Sequence, residues 1–249
     1  MKEIKRRNFI GTALGAAGLS AMGCASKVLP ANSGNAVNLK GKKDSKIVHW
    51  DVITIGNLSR NKYWGESVEK ALRPVICTTT VITGTNFHVI VDPSLVDAKA
   101  MAEELKRRTG LTPDDIDVAF LTHEHGDHHC GLPAFPKARW LASAQAATAI
   151  NKAAKYQKNV EVAGPTIFDV IDVVFTPGHT PGTAGLRFDY RGLSIFVAGD
   201  AVATKDFWDE GQTYYNALDP QEAKQSIKKI ASISNIVVPG HDNYFMHIT

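Results

Sequence analysis

The octapeptide Thr122-His123-Glu124-His125-Gly126-Asp127-His128-His129 gathers four of the chain's nine histidines and two carboxylates into one loop. A short apolar run, Val118-Ala119-Phe120-Leu121, leads into it and reads as a buried strand that delivers the loop to the end of a sheet. Within H-x-H-x-D-H, His123 and His125 project to one side. Asp127 and His128 follow the bend at Gly126 and can face a second centre. Neutral imidazole with carboxylate is the donor set that Zn²⁺ prefers and that Fe and Mn tolerate, so the loop points to metal without choosing one. A solvated, histidine-rich loop is the competing reading, and the density of histidine weighs against it.

One loop cannot close a two-metal site, so further ligands are expected at the ends of later strands. Residues 171–176 are strand-like and run into Pro177-Gly178-His179-Thr180-Pro181-Gly182, a rigid turn able to hold one imidazole. Residues 193–198 form a nearly continuous apolar strand that ends in Gly199-Asp200, where a carboxylate can bridge two cations. Residues 236–238 lead into Pro239-Gly240-His241-Asp242, repeating the Pro-Gly-His punctuation of His179 and suggesting a shared geometric task. Each of these, taken singly, is as readily a turn or a cap. Together they stand at the C-terminal ends of β-rich runs, where loops gather into sites. Thr122 and Thr180 offer hydroxyls beside the ligands, for supporting hydrogen bonds or for ordinary turns.

On these motifs the chain resembles the metallo-β-lactamase-fold hydrolase superfamily. It carries His123-x-His125-x-Asp127-His128, then His179, Asp200 and His241, in the superfamily's order. The resemblance implies an α/β fold, an αβ/βα four-layer sandwich with two sheets face to face, helices outside and the site along one edge. By position it implies that His123, His125 and His179 hold one metal, that Asp127, His128 and His241 hold the other, and that Asp200 bridges. Two divalent ions are implied, Zn first, with Fe or Mn as alternatives. They would acidify a shared water so that a hydroxide attacks a small ester, lactone or thioester carbonyl, with Asp127 as the catalytic residue that orients it.

The stretch Gly199-Asp200-Ala201-Val202 looks most like the N-acyl homoserine lactonase-like branch. Those lactonases place a Tyr three residues after the bridging Asp, where this chain has Ala203, so Tyr214 or Tyr215 would have to serve, or the substrate is another ester or thioester. Class B1 β-lactamases put Cys at the Asp200 position, which disfavours β-lactams. The 40 residues between Asp200 and His241 leave no room for the inserted domain of nucleases. A phosphodiesterase, a β-lactam hydrolase and a non-hydrolytic di-metal sensor or redox protein stay open as alternatives, although flavodiiron proteins carry Glu at the His125 position.

With 249 residues, 44% hydrophobic and 21% charged, the chain suits one sizeable globular domain, expected over residues 47–249. Residues 1–24 read as an export signal: Lys5-Arg6-Arg7-Asn8-Phe9-Ile10 resembles a twin-arginine signal, and Ala21-Met22-Gly23-Cys24 a lipoprotein box with Ala21 where Leu is favoured. An uncleaved anchor is the alternative, at the short limit for spanning a bilayer. Residues 25–46 read as a flexible tether. The expected location is outside the cytoplasm of a bacterium, periplasmic or as a membrane-tethered lipoprotein, with the membrane reached only through a lipid on Cys24. Without residues 1–24 the basic and acidic side chains balance, so there is no footprint for nucleic acid, and a small molecule is the expected partner. An oxidising compartment permits a Cys77–Cys130 disulfide, which sequence alone does not decide, and Cys130 reads as a small buried residue rather than a ligand.

Strands are expected over residues 47–55, 75–91 with a turn at 84–86, 138–142 and 183–190. Helices are expected over 97–109, stopped by Gly110, and over 143–157 and 220–232. Two aromatic stretches, residues 57–64 and Phe207-Trp208 with Tyr214-Tyr215, suit either a substrate pocket or core packing.

Overall fold

A computed structural model describes residues 36–247. The export signal expected over residues 1–24 lies outside them. In chain order the elements are β1 (Val37–Leu39), β2 (Ile47–Thr54), β3 (Thr79–Gly84), β4 (His88–Val91), α1 (Ala98–Thr109), β5 (Val118–Leu121), α2 (Gly126–His129), β6 (Arg139–Ala142) and α3 (Ala144–Lys152). They continue with β7 (Glu161–Ile167), β8 (Ile171–Phe175), β9 (Ala184–Tyr190), β10 (Leu193–Gly199), α4 (Lys205–Asp209), α5 (Pro220–Ile233), β11 (Ile236–Pro239) and β12 (Phe245–Met246).

Strand alternation sorts the apolar side chains into layers. Along β5, Val118 and Phe120 enter one core while Ala119 and Leu121 enter another, and β4 divides Val89 and Val91 from Ile90 in the same way. In the second half of the chain, Ile195 and Val197 of β10 and Ile236 and Val238 of β11 meet Val118 and Phe120 in the shared core, while Phe196, Ala198 and Val237 face away. The shared core therefore lies between two sheets packed face to face. Its outer neighbours are helical: Met101 and Leu105 of α1 and Ala146, Ala147 and Ile150 of α3 cover the first sheet, and Ile227 and Ile230 of α5 cover the second. Each fully buried side chain of the Val, Leu or Phe class contributes about 1.5–3 kcal/mol to this arrangement. The four layers match the sandwich that the resemblance implied.

Local chemistry sets the helix ends. Asp97 accepts from Ala100 N at the start of α1, and Gly110 ends it in the left-handed region at φ 79°. Ser143 caps α3 through Ala146 N. That helix stops at Lys152 rather than 157, because the Asn151 side chain pairs with both the N–H and the C=O of Val160 and Ala154 takes a positive φ.

Two further departures concern how the sheets join. β7, which sequence reasoning did not identify, belongs to both sheets: Glu161 and Val162 lie parallel to β6, and Thr166 and Ile167 antiparallel to β8. Gly164 and Pro165 occupy its middle, between the residues paired with β6 and those paired with β8 and at the register shift opposite β1, a place where a strand tolerates proline. The tether expected over residues 25–46 is corrected in its second half. Val37–Leu39 forms β1, parallel to β7, and both Val37 and Leu39 pack on the shared core. The polar composition of that stretch hid two apolar residues at strand spacing.

Candidate metal centre

The C-terminal ends of β5, β8, β10 and β11 converge at one edge of the sandwich. β10 and β11 run parallel with Gly199 opposite Pro239, which sets Asp200 beside His241. Ala184 N donates to Thr122 O across 2.9 Å and ties the histidine loop of the first sheet to the second. Two glycines make the close approach possible. Gly199 has φ 51°, and a Cβ there would collide with the Thr122 side chain. A Cβ at Gly240 would collide with Asp200 Oδ1, so the Pro-Gly-His turn at His241 exists to let the carboxylate lie over bare backbone. At the other Pro-Gly-His, Gly178 serves a different contact, against the backbone of Ala223 in α5.

Around this edge the seven residues singled out by sequence come together. His123 Nε2 and His179 Nε2 lie 3.0 and 2.9 Å from His125 Nδ1. Asp200 Oδ2 lies 3.3 Å from His179 Nε2 and 3.9 Å from His123 Nε2. The other oxygen, Oδ1, lies 3.2 Å from His128 Nε2 and 3.0 Å from His241 Nε2, and Asp127 Oδ2 is 3.8 and 3.7 Å from the same two nitrogens. One carboxylate thus offers one oxygen to each group. The tetrahedral edge between two nitrogens on zinc is about 3.3–3.4 Å, close to the shorter of these spacings.

The hydrogen bonds behind the rings fix which nitrogen faces inward. His128 Nδ1 lies 2.8 Å from Asp92 Oδ2, His241 Nδ1 lies 2.9 Å from Ile76 O, and His123 Nδ1 lies 3.1 Å from Thr122 Oγ1. Each back nitrogen therefore meets an acceptor and carries the proton, leaving the Nε2 lone pair to the site. Asp92, absent from the sequence expectations, is the hub: its buried carboxylate also accepts from Thr122 N and Thr122 Oγ1, at 2.8 and 2.7 Å. Two observations fit a cation to this set. Asp200 Oδ1 and His128 Nε2 are buried and within reach of each other, yet neither has a hydrogen-bond partner, so they aim at a common point rather than at one another. Two imidazole nitrogens also crowd onto His125 Nδ1, where a single proton can satisfy one contact properly. Four groups, His123, His125, His179 and Asp200, could hold one ion, and Asp127, His128 and His241 another.

The model of the metallo-beta-lactamase superfamily matches residues 72–241. The chain belongs to this superfamily. A metallo-hydrolase of Methanocaldococcus jannaschii is 30% identical over 155 residues, covering 62% of this chain and 70% of that protein. An N-acyl homoserine lactonase of Bacillus thuringiensis is 23% identical over 214 residues, 76% of this chain and 85% of its own. Among solved structures, a mutant of the B. thuringiensis protein AiiA with N-decanoyl-L-homoserine at its active site superposes with a TM-score of 0.61 at 18% identity, over 79% of this chain and 93% of the other. These superfamily relatives support a hydrolase.

Electrostatics divide the superfamily site in two. Burial holds His123 well below the ordinary imidazole range and pushes His179 down to about 4. Burial acts to raise Asp200, but His241 and His128 keep its carboxyl well below the usual range. Burial is overridden at His128 by Cys77, Asp200 and Asp92, and at His241 by Asp200, and both imidazoles move up. A proton on either of those two competes with a cation. Zinc bound by Asp127, His128 and His241 should therefore leave first as pH falls. Zinc on the other group should persist further, because the His179 lone pair stays free until about pH 4. A zinc-indicator titration from pH 8 downward should show two release steps, and one step would contradict the division.

The remaining residues of the loop are supports. His129 turns away, its ring 2.7 Å from Tyr156 Oη and 3.1 Å from Glu124 O. Thr180 Oγ1 donates to Glu124 Oε2 at 2.8 Å, so it links the two loops and touches no ligand, unlike Thr122. Cys77 and Cys130 are free thiols. Burial pushes Cys77 up to about 12, and its S–H faces the carbonyls of Asp92 and Asp127, so the nearby trio Cys77, Asp92 and His128 braces the site rather than forming another ion site. In front of the metal groups lies a cleft of about 390 Å³, lined by Leu58, Arg60, Val75 and Tyr214 besides His125, Asp127, Asp200 and His241. Of the two tyrosines expected near Ala203, Tyr214 lines the cleft, while the Tyr215 hydroxyl accepts from Lys62 N at 2.8 Å. Ala203, Phe207, Tyr214 and Tyr215 share one apolar cluster with Leu58 and Tyr63, so the aromatic stretches serve both packing and the cleft wall.

Proposed function

We propose that this domain is a binuclear metal-dependent hydrolase acting on a small ester, lactone or thioester carbonyl. The observation that carries the reading is Asp200, which presents one oxygen to each of two imidazole groups beside an open cleft. His123, His125 and His179 would hold one cation, Asp127, His128 and His241 the second, with Asp200 shared. Zinc suits this set, and iron or manganese are compatible with it. Two divalent ions bound there supply Lewis acidity, which acidifies water and polarises a carbonyl.

The chain's own residues do the rest. Asp127 lies at the cleft with its side chain partly exposed, placed to accept a proton from the attacking water and orient it. Burial raises Tyr214, so its hydroxyl keeps its proton at neutral pH; that proton is given to Arg60 O at 3.3 Å and would have to turn from it to reach a carbonyl oxygen or a leaving alkoxide. Leu58 and Val75 give apolar wall for an acyl chain. The lactonases among the relatives support a lactone as the first substrate to test. Zinc- and manganese-loaded protein should turn over at least one class in a panel of lactones, esters, thioesters, β-lactams and phosphodiesters, and His125→Ala should remove that activity. Silence across the panel, or full activity in His125→Ala, sinks the reading.

A further inference from the structure

The cleft contains a cation that the ligand set does not use. Arg60 lines the same opening as Asp127 and Asp200, yet its guanidinium forms no ion pair among the described residues, and its Nε is buried without a hydrogen-bond partner. Leaving a guanidinium nitrogen dry and unpaired is costly, and such groups normally pair with an acidic oxygen. Arg60 shares the cleft with two carboxylates and pairs with neither, so its position is imposed by the surrounding structure.

That structure is rigid on both sides of it. Leu58 is buried in the aromatic cluster, and Asn61 is fully buried, capping the turn at Lys62–Trp64 and donating to Asp206 Oδ2 at 3.2 Å. Trp64 Nε1 donates to the same Asp206 oxygen at 2.8 Å. Glu66 accepts from Asn61 N and pairs with Arg73, whose guanidinium also donates to Leu58 O. Tyr214 Oη donates to Arg60 O at 3.3 Å, and the Tyr215 ring lies 5.9 Å beneath the guanidinium carbon. A planar donor fork held over an aromatic ring at the wall of the cleft, with no acceptor for it among the described residues, is a preorganised binding site for an anionic oxygen group.

We propose that Arg60 is a specificity-determining residue and that the substrate carries an acidic group, a carboxylate or a phosphonate-like oxyanion, a short chain away from the carbonyl that is opened. The inference rests on the hydrolase reading above: water adds to the acyl carbon, the acyl–oxygen bond breaks, the leaving oxygen takes a proton, and the acidic group stays on Arg60 throughout.

The test compares phenyl butyrate, monophenyl glutarate and phenyl 4-phosphonobutyrate, three esters that differ in the distal group. The metal-loaded wild type should favour one of the two anionic esters by about 10- to 100-fold in kcat/KM, the range for a charge-assisted pair, and the preferred one identifies the group. Arg60→Met should lose that preference through a rise in KM for the anionic esters that phenyl butyrate does not share, and Arg60→Lys should recover part of it. No preference in the wild type, or an equal loss on all three esters in Arg60→Met, overturns the proposal. Calorimetric binding of glutarate and of 4-phosphonobutyrate separates the two readings. If none of the three esters is cleaved, the panel of lactones, thioesters and other esters above decides the hydrolase reading. Arg60 recognition then stands if either anion binds the wild type and binds Arg60→Met at least about tenfold more weakly, and falls if the variant binds both equally well or the wild type binds neither.

Discussion

Asp200→Asn is expected to lower turnover by about a hundred- to a thousandfold, the range for removing one preorganised electrostatic group from a site, while the fold survives. The amide matches the carboxylate in shape, so the crowded contact over Gly240 is preserved. What disappears is the negative charge shared between the two groups of imidazoles. Asp200 is ionised far below neutral pH because His241 and His128 favour its charged form, so the loss is felt at every working pH. The sign is that of a depressed carboxyl: its contribution is complete above the unfolded carboxyl range and fades as pH falls through the lower folded value. Elemental analysis should show fewer than two zinc ions per chain in the variant. Two retained ions together with wild-type turnover would remove Asp200 from the centre of the site.

The second large effect is expected at Asp92→Ala, and it should appear in stability and in metal affinity together. Removing this carboxylate strands Thr122 N–H, Thr122 Oγ1 and His128 Nδ1 in a fully buried environment. Breaking a buried pair and leaving its partner costs about 3–5 kcal/mol. Loss of the group that orients a ligand imidazole costs about 10- to 100-fold in metal affinity. Thermal unfolding of the metal-free protein isolates the first effect, and competition with a zinc chelator the second. A variant that unfolds earlier but binds zinc as tightly as the wild type would make Asp92 a packing residue only.

Asp92 shows where sequence reading ran out. It sits in Val91-Asp92-Pro93, where an acidic residue before proline reads as a strand end, and nothing local announces that its carboxylate reaches a histidine 36 positions later. The seven clustered residues were legible because each carries its own punctuation: an apolar run, a glycine bend, then a donor. Supports lack that mark, since an orienting group is defined by the partner it meets in space. β7 was hidden for a related reason. Gly164 and Pro165 argue against a strand, yet here they mark the point where one strand serves two sheets. β1 escaped because Val37 and Leu39 are diluted by polar neighbours, although they pack on the core between the sheets. The helices were well anticipated wherever a cap was written locally, as at Asp97 and Gly110, and less so where Asn151 turned its side chain to Val160.

The placement of the donors has a consequence for how the protein is held together. His123, His125, Asp127 and His128 follow β5 of one sheet, whereas His179, Asp200 and His241 follow β8, β10 and β11 of the other. Any ion taken up by them is a clasp across the two halves of the sandwich, and it exists only when both halves have closed. Binding that favours the native state alone adds about 4 kcal/mol when free metal is a thousandfold above its dissociation constant. That is a sizeable share of the 5–15 kcal/mol that typically separates a folded domain from its unfolded chain. The reactive centre is thereby also a fastener: the chain can assemble its chemistry only by finishing its fold, and it keeps that fold more firmly while the chemistry is armed.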